Sequence, residues 1–157
     1  MDLRKLPRHA DAYIALLGGR VDSGPVFTFP ANLDSVADVV SVTSCTELDY
    51  HFRGWTPDEI PDRSPIVGIV ADDNVVSVCF CARRSETAAE AGVETAVAYR
   101  GRGFASQVTG AWARLIRESG RLALYSTSWN NAASLAVARS LGLSACAADW
   151  NVYAGAG

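Results

Sequence analysis

The chain has no long apolar run, so its sequence predicts no membrane-spanning helix. No stretch approaches the roughly 20 apolar residues that are needed to cross a bilayer. The apolar run over residues 12–17 is too short for a secretory signal peptide, and no convincing cleavage region follows it. We therefore expect a soluble, cytoplasmic protein with no membrane partner.

Metal-ligand spacing and an excess of basic charge are also missing. The four cysteines do not form a ligand pattern and the two histidines are isolated, so we expect reduced thiols and no metal. A formal net charge of −3 argues against nucleic acid as a partner. There is no internal repeat or linker. The 157 residues, 49% of them hydrophobic, predict one compact enzyme domain over residues 1–157.

Two familiar phosphate-binding loops are absent, although residues 100–105 read Arg-Gly-Arg-Gly-Phe-Ala. A dinucleotide fingerprint would need glycine or alanine where Ser106 stands, and no Gly-Lys-Ser/Thr sequence follows. The segment lies between a β-like run at 91–97 and an amphipathic helical pattern that begins at Phe104 and stops near Gly120. Because a helix N-terminus after a glycine turn attracts anions, we predict an anion-binding turn here.

The rest of the chain predicts strands and helices in a mixed order. Strands are expected at 26–29, 65–70, 75–82, 122–126 and 150–153, with Pro25 and Pro30 bracketing the first. The turn at 72–74 should join the second and third strands into a hairpin. A helix is expected at 11–17, and residues 51–64 read as loop. This order predicts a mixed sheet with helices on its faces.

Two further helices are expected from apolar spacing and capping residues. One falls within residues 33–50, where Asp34 is a candidate cap and Val36, Val39 and Val40 form one apolar face. The other spans residues 132–141, and its content of Ala, Leu and Val predicts that it is largely buried.

The turn and the helix at 132–141 carry a resemblance to a known family. Residues 100–105, preceded by Tyr99, follow the pattern Arg-x-x-Gly-x-Ala, which resembles the acyl-CoA pyrophosphate loop of the GNAT superfamily of N-acyltransferases. A second segment, from Asn131 to the Leu-Gly-Leu sequence at 141–143, has the spacing of that superfamily's next helix. The resemblance implies an α+β GNAT fold, in which a mixed, mostly antiparallel sheet splays at the acyl-CoA site and is flanked by helices.

The resemblance also implies a cofactor site. Acetyl-CoA, the cosubstrate, would lie between two splayed strands, with its pantetheine arm on strand backbone and its pyrophosphate on the turn. The cofactor-binding positions so implied are Val93, Thr95, Arg100, Gly101, Arg102, Gly103, Phe104, Ala105, Asn131 and Ser134. Other roles remain open for three of them: Arg100 and Arg102 are also suited to a solvated turn, and Asn131 to a helix cap.

Acetyl transfer to an amine needs a base, and two carboxylates are candidates. Glu90 and Glu94 share one face of a strand by alternation, and we favour Glu90, although an exposed strand carboxylate explains either residue. Many relatives protonate the departing CoA thiolate with a tyrosine at the position of Ala138. Four replacements are open here: Tyr125, Ser134, Tyr153 or water.

The sequence therefore supports two functional hypotheses. The first is an acetyl-CoA-dependent N-acetyltransferase, in which the primary amine of a small molecule or a protein N-terminus attacks the thioester directly in a ternary complex. The alternative is a non-catalytic acyl-CoA-binding sensor or regulatory module, which Ala138 favours. A homodimer is left open. Candidates for the acceptor pocket are the aromatic residues Tyr50, His51, Phe52, Trp55 and Trp129.

Overall fold

A computed structural model describes residues 2–33 and 38–154, and within them it forms one seven-stranded sheet. The strands are β1 (Arg20–Thr28), β2 (Val40–Ser41), β3 (Val67–Ala71), β4 (Asn74–Arg84), β5 (Ala88–Thr95), β6 (Leu122–Ser126) and β7 (Ser144–Tyr153). Their spatial order is β2-β3-β4-β5-β6-β1-β7, and all neighbours are antiparallel except β5 and β6.

Helices flank this sheet. They are α1 (Ala10–Leu17), α2 (Glu59–Arg63), α3 (Phe104–Glu118) and α4 (Ala132–Ser140), and short 3₁₀ turns lie at Cys45–Glu47 and Val97–Tyr99. The expected α+β class, with a mixed and mostly antiparallel sheet, is confirmed. In the part of the chain that the structure describes, no helix is both long and apolar enough to cross a membrane.

One face of the sheet packs against α3. The buried residues of α3 include Val108, Ala111, Trp112 and Ile116, whose spacing of three and four residues matches the amphipathic stripe of the sequence. They join a core cluster with residues of β3, β4, β5 and β6. Because α3 is the next helix after β5 apart from one short 3₁₀ turn, this packing fixes the segment between them.

The segment 42–66 covers the opposite face of the sheet. Leu48, Phe52 and Ile60 from this segment pack against Val78 and Phe80 of β4 in a second apolar cluster. The segment was expected to be loop over residues 51–64, and it contains the short helix α2 as well. Both faces of the central strands are thus buried, which leaves the edge between β5 and β6 as the place where a ligand can reach the sheet.

The first strand is longer than its sequence pattern predicted. Pro25 was expected to precede it, yet β1 runs from Arg20 and includes Pro25, which is opposite Ala148 of β7. Proline, which has no N–H, is tolerated there because β1 pairs with β6 only over Val26 to Thr28. The missing N–H of Pro25 therefore costs the sheet no hydrogen bond with β6. Strands β5 and β7 likewise begin before the predicted residues 91 and 150.

The helix expected within residues 33–50 is wrong in its described part. Val40 lies in β2, which pairs antiparallel with β3, and a 3₁₀ turn follows. Val40 pairs in a strand edge and Val39 packs against the core below α3, so tertiary pairing overrides the local pattern. The candidate cap Asp34 and Val36 lie outside the described residues.

Helix α4 was expected to be largely buried, and this prediction is wrong. Only Ala138 is buried among its residues. The helix packs against α3 at one end of the sheet, and several of its small residues face an open cleft instead of the core. Composition alone predicted burial because alanine suits a packed helix surface and a cleft wall equally well.

Candidate functional site

The parallel strands β5 and β6 pair over only part of their length. Their ladder runs from Ala88 opposite Leu122 to Ala91 opposite Tyr125, and β5 then continues to Thr95 without β6 beside it. The amide of Ala96 donates to a carbonyl of β4 at 2.8 Å. Because backbone groups alternate between the two edges of a strand, those of Val93 and Thr95 point away from β4, toward the gap.

A cleft of about 920 Å³ occupies this gap. On one side it is lined by the end of β5 and by the turn that leads into α3; on the other it is lined by Tyr125 and by α4. The structure brings nine of the ten implied cofactor-binding positions to its wall: Val93, Thr95, Arg100, Gly101, Gly103, Phe104, Ala105, Asn131 and Ser134. Arg102 is not on that wall.

The turn between β5 and α3 presents unpaired backbone donors to the cleft. The first amide after the turn that donates to a backbone carbonyl is that of Gln107, whose acceptor is Gly103 at 3.1 Å. The amides of residues 102–105 have no acceptor among the described residues. A row of free N–H groups at the start of a 15-residue helix has the geometry and the partial charge that suit a phosphate or another anion.

Both glycines of this turn are required by backbone conformation. Gly101 has φ of 74° and Gly103, the residue before α3, has φ of 82°. Residues with a side chain rarely adopt this left-handed region. A Cβ at Gly101 would meet nothing within 4 Å, so it is the positive φ, and not a lack of room, that selects glycine.

The arginines of the turn make local contacts. Arg100 donates Nε to the carbonyl of Thr95 at 3.1 Å. Arg102 donates to the carbonyl of Ala98 at 3.2 Å, and its guanidinium stacks on the ring of Tyr99. Arg100 therefore lines the cleft while bracing the end of β5, and Arg102 braces the outside of the turn.

Asn131 and Ser134 open the first turn of α4. The side-chain oxygen of Asn131 accepts from the amide of Ser134 at 3.0 Å, which is a helix N-cap. The Ser134 hydroxyl lies 2.5 Å from the hydroxyl of Tyr125 on β6. Burial raises the pKa of the Tyr125 phenol, an effect that the hydrogen bond with Ser134 partly opposes. The cleft wall thus carries a phenol that stays protonated at neutral pH.

The two candidate bases lie in different surroundings. Glu94 is exposed and lines the cleft. Glu90 receives two hydrogen bonds from Arg83, at 3.3 and 2.6 Å, and a third from the hydroxyl of Ser126 at 2.8 Å. Arg83 also bonds Asp149 of β7 at 2.5 Å. The structure places Glu94 in the open cleft and Glu90 within a network that joins β4, β5, β6 and β7.

Two of the five aromatic residues suggested for the acceptor pocket line the cleft, namely His51 and Phe52. The other three are elsewhere. Trp55 packs on Phe80 of the second cluster, and Tyr50 is 70% exposed. Trp129 lies under the guanidinium of Arg4. Sequence reasoning missed Arg53, which also lines the cleft. No local pattern singled it out, since it lies in a segment without strand or helix periodicity.

Comparison with known proteins places this chain in a family. The family description "GNAT acetyltransferase" matches residues 67–153, which is more than half of the chain. The chain therefore belongs to the GNAT acetyltransferase family, whose members are acyltransferases that generally use acyl-CoA donors and amine acceptors. The resemblance to the GNAT superfamily inferred from the turn and α4 is confirmed. The chain matches none of the curated proteins with which it was compared.

Solved structures share the fold at low sequence identity. A GNAT-family protein from Novosphingobium aromaticivorans is 21% identical with a TM-score of 0.70, and the match covers 85% of this chain and 64% of that one. A GNAT-family acetyltransferase from Colwellia psychrerythraea is 15% identical with a TM-score of 0.65, covering 90% and 59%. A GCN5-related N-acetyltransferase from Kribbella flavida is 18% identical with a TM-score of 0.64, covering 92% and 64%. The chain thus spans about three fifths of the length of these structures.

Proposed function

We propose that the chain acts as one N-acetyltransferase domain, which transfers the acetyl group of acetyl-CoA to a primary amine within a ternary complex. The observation that carries this proposal is the row of free amides at residues 102–105, at the mouth of the gap between β5 and β6. A pyrophosphate fits such donors, and an extended amide-bearing arm fits the unpaired edge of β5.

The cofactor would then lie along the cleft in one direction. Its pyrophosphate would accept from the amides before α3, and its pantetheine amides would pair with backbone groups of Val93 and Thr95. The carbonyl of Thr95 already accepts from Arg100, so its amide is the group available to the arm. The side chains of Asn131 and Ser134 would flank the arm from α4. This orientation directs the thioester toward Tyr125 and Glu94.

The transfer step needs one proton acceptor and one proton donor. The amine nitrogen attacks the thioester carbonyl carbon, a C–N bond forms, and the C–S bond breaks. We assign the surplus amine proton to Glu94, reached directly or through a water molecule, because Glu94 lines the cleft without a partner. The CoA thiolate would take a proton from the Tyr125 phenol, which solvent then replaces. We assign Glu90 a structural role, since Arg83 and Ser126 already occupy its oxygens.

Cofactor binding is tested by calorimetry with acetyl-CoA. Gly103→Glu should abolish binding, because a carboxylate would fill the anion site with like charge. Gly120→Glu is a matched control: Gly120 follows α3, has φ of 80°, and would carry the same charge and backbone strain outside the cleft. Normal affinity in the Gly103→Glu variant would disprove the role of the turn.

Catalysis is tested by the release of free thiol from acetyl-CoA with a panel of primary amines. Glu94→Gln should lower kcat/KM for the amines that react, whereas Glu90→Gln should leave kcat/KM nearly unchanged. If the kcat/KM of Glu94→Gln matches that of the unmodified protein, Glu94 is not the base.

One observation supports the alternative of a non-catalytic acyl-CoA-binding module. Ala138, at the position where many relatives carry the tyrosine acid, is buried in the core and offers no hydroxyl to the cleft. Saturable acetyl-CoA binding without thiol release on any amine would favour this module over the transferase.

A further inference from the structure

Arg53 and Glu94 are two opposite charges in one cleft, and neither has a partner. Neither side chain makes a hydrogen bond or an ion pair with any described residue, nor do they pair with each other. The neighbouring charges differ, since Arg100 donates to Thr95 and Glu90 binds Arg83. A cleft that keeps one cation and one anion free can bind a ligand that carries both charges.

The two side chains approach the cleft from the same face of the sheet. Phe52 is buried with Val78 and Ala96 in the second apolar cluster, and Glu94 is opposite Val78 in the register of β4 and β5. By alternation the side chain of Glu94 projects to the face that carries Ala96. Arg53 directly follows Phe52, so the chain holds the cation over the same end of β5.

The segment that bears Arg53 is anchored at two points. The ring of His51 contacts the ring of Tyr99 at a centroid distance of 5.6 Å, in an edge-to-face arrangement. Phe52 is 7% exposed, so its ring fixes the next residue of the segment against the sheet. Arg53 therefore extends from a held backbone, so a ligand that binds it has only the side chain to order and not the segment.

We infer that the acceptor is a primary amine that also bears an anionic group, a carboxylate or a phosphonate. This inference rests on the proposed function. The amine would lie against Glu94, which also receives its proton, and the anion would accept two hydrogen bonds from the guanidinium of Arg53. Arg53 is then a specificity-determining residue, and the acceptor is held at both ends while its nitrogen faces the thioester.

Matched acceptors test the inference. The first pair is phenylalanine and phenethylamine, and the second set is β-alanine, 2-aminoethylphosphonate and ethylamine. The member that bears the anionic group should have a kcat/KM at least about tenfold higher than the simple amine, as expected for a charge-assisted contact. The second set separates a carboxylate from a phosphonate by which anion is preferred.

Variants assign the preference to one side chain. Arg53→Gln should remove the preference for anionic acceptors by raising the KM of the anionic member, while the KM values of the simple amine and of acetyl-CoA stay unchanged. Arg53→Lys should keep part of the preference. Arg8→Gln, which removes the same charge outside the cleft, should behave as the unmodified protein. Equal kcat/KM within every pair would overturn the inference. So would an Arg53→Gln effect on acetyl-CoA affinity alone, because the guanidinium would then belong to the cofactor site.

Failure of the proposed function would give a different result. If no amine releases thiol, binding of the same pairs is measured by saturation-transfer NMR, with and without CoA. Binding of the anionic members that Arg53→Gln abolishes supports the inference without turnover, and equal or absent binding of all members overturns it.

Discussion

The hydroxyl of Tyr99 donates to Oδ2 of Asp72 at 2.5 Å, and so ties the cleft turn to the hairpin between β3 and β4. The carboxylate of Asp72 raises the pKa of Tyr99, since it favours the protonated phenol. Arg102 stacks on the ring of Tyr99, and the ring centroids of Tyr99 and Phe104 are 6.5 Å apart. The turn before α3 is therefore held from outside the cleft, and its free amides have a fixed position.

Tyr99→Phe should weaken acetyl-CoA binding by roughly threefold, since the turn loses one anchoring hydrogen bond without losing a donor to the ligand. Calorimetry measures the change, and Tyr50→Phe, an exposed tyrosine, serves as control. Asp72→Ala should have the same effect as Tyr99→Phe. The double variant should lose no more affinity for acetyl-CoA than either single variant. Fully additive losses would show that the two residues act independently.

Glu90→Gln should destabilise the protein by about 1 kcal/mol, because the carboxylate that binds Arg83 and Ser126 is only 15% exposed in its side chain. The midpoint of urea unfolding reports this loss. In this variant Arg83, whose side chain is 59% exposed, keeps its ion pair with Asp149, which limits the loss of stability. Acetyl transfer by the folded variant should stay within about twofold of the unmodified protein. If Glu90→Gln is stable but no longer transfers acetyl groups, Glu90 and not Glu94 is the base.

Tyr125→Phe should lower kcat by at least about tenfold and leave the KM for acetyl-CoA nearly unchanged, because only the proton donated to the thiolate is lost. The ring remains, so its packing in the core is preserved. Steady-state thiol release gives both constants. Ser134→Ala, which keeps the phenol, should lower kcat less than Tyr125→Phe does. Equal kcat in Tyr125→Phe and the unmodified protein would assign the proton to water.

Cys79 should make the protein sensitive to alkali. Burial raises the pKa of its thiol, so above the usual value of 9.0 the unfolded chain loses this proton while the folded chain keeps it. The folded state then binds more protons, and its stability falls as the pH rises beyond 9, by at most about 1.4 kcal/mol per pH unit. Burial raises the pKa of Cys81 in the same direction.

Thermal unfolding between about pH 8 and pH 11 measures this effect. Cys79→Ala should have a lower Tm at neutral pH because of the lost side chain, and a shallower decline in alkali. Cys146→Ala, at an exposed thiol, should follow the unmodified protein. Parallel declines in all three proteins would show that Cys79 titrates alike in the folded and unfolded states.

The local elements of the fold were predictable because their signals lie within a few residues. Asp72 and Asn74 supply the turn chemistry of the β3–β4 hairpin, and the spacing from Val108 to Ile116 in α3 matches its buried face. The glycines before α3 were sufficient to place a turn that the structure opens to the cleft. Each of these features depends on neighbours in the sequence, where periodicity and turn preferences act directly.

The parts that sequence reasoning missed depend on distant segments. Alternation correctly placed Glu90 and Glu94 on one face, but it could not show that Arg83 of β4, which also bonds Asp149 of β7, would engage only the first. Arg53 reaches the cleft because Phe52 is buried under it. Such relationships arise from the register of strands far apart in the sequence, which no local pattern encodes.

The place of β1 between β6 and β7 has a consequence for synthesis on the ribosome. Val26 pairs with Ser126 and Arg20 with Tyr153, so β1 meets its first partner only after about 100 further residues have been translated and its second after about 130. At 5–20 residues per second this takes on the order of ten seconds. The nascent chain meanwhile exposes a segment whose two strand edges are unpaired, and we expect it to need a chaperone until the sheet closes around it.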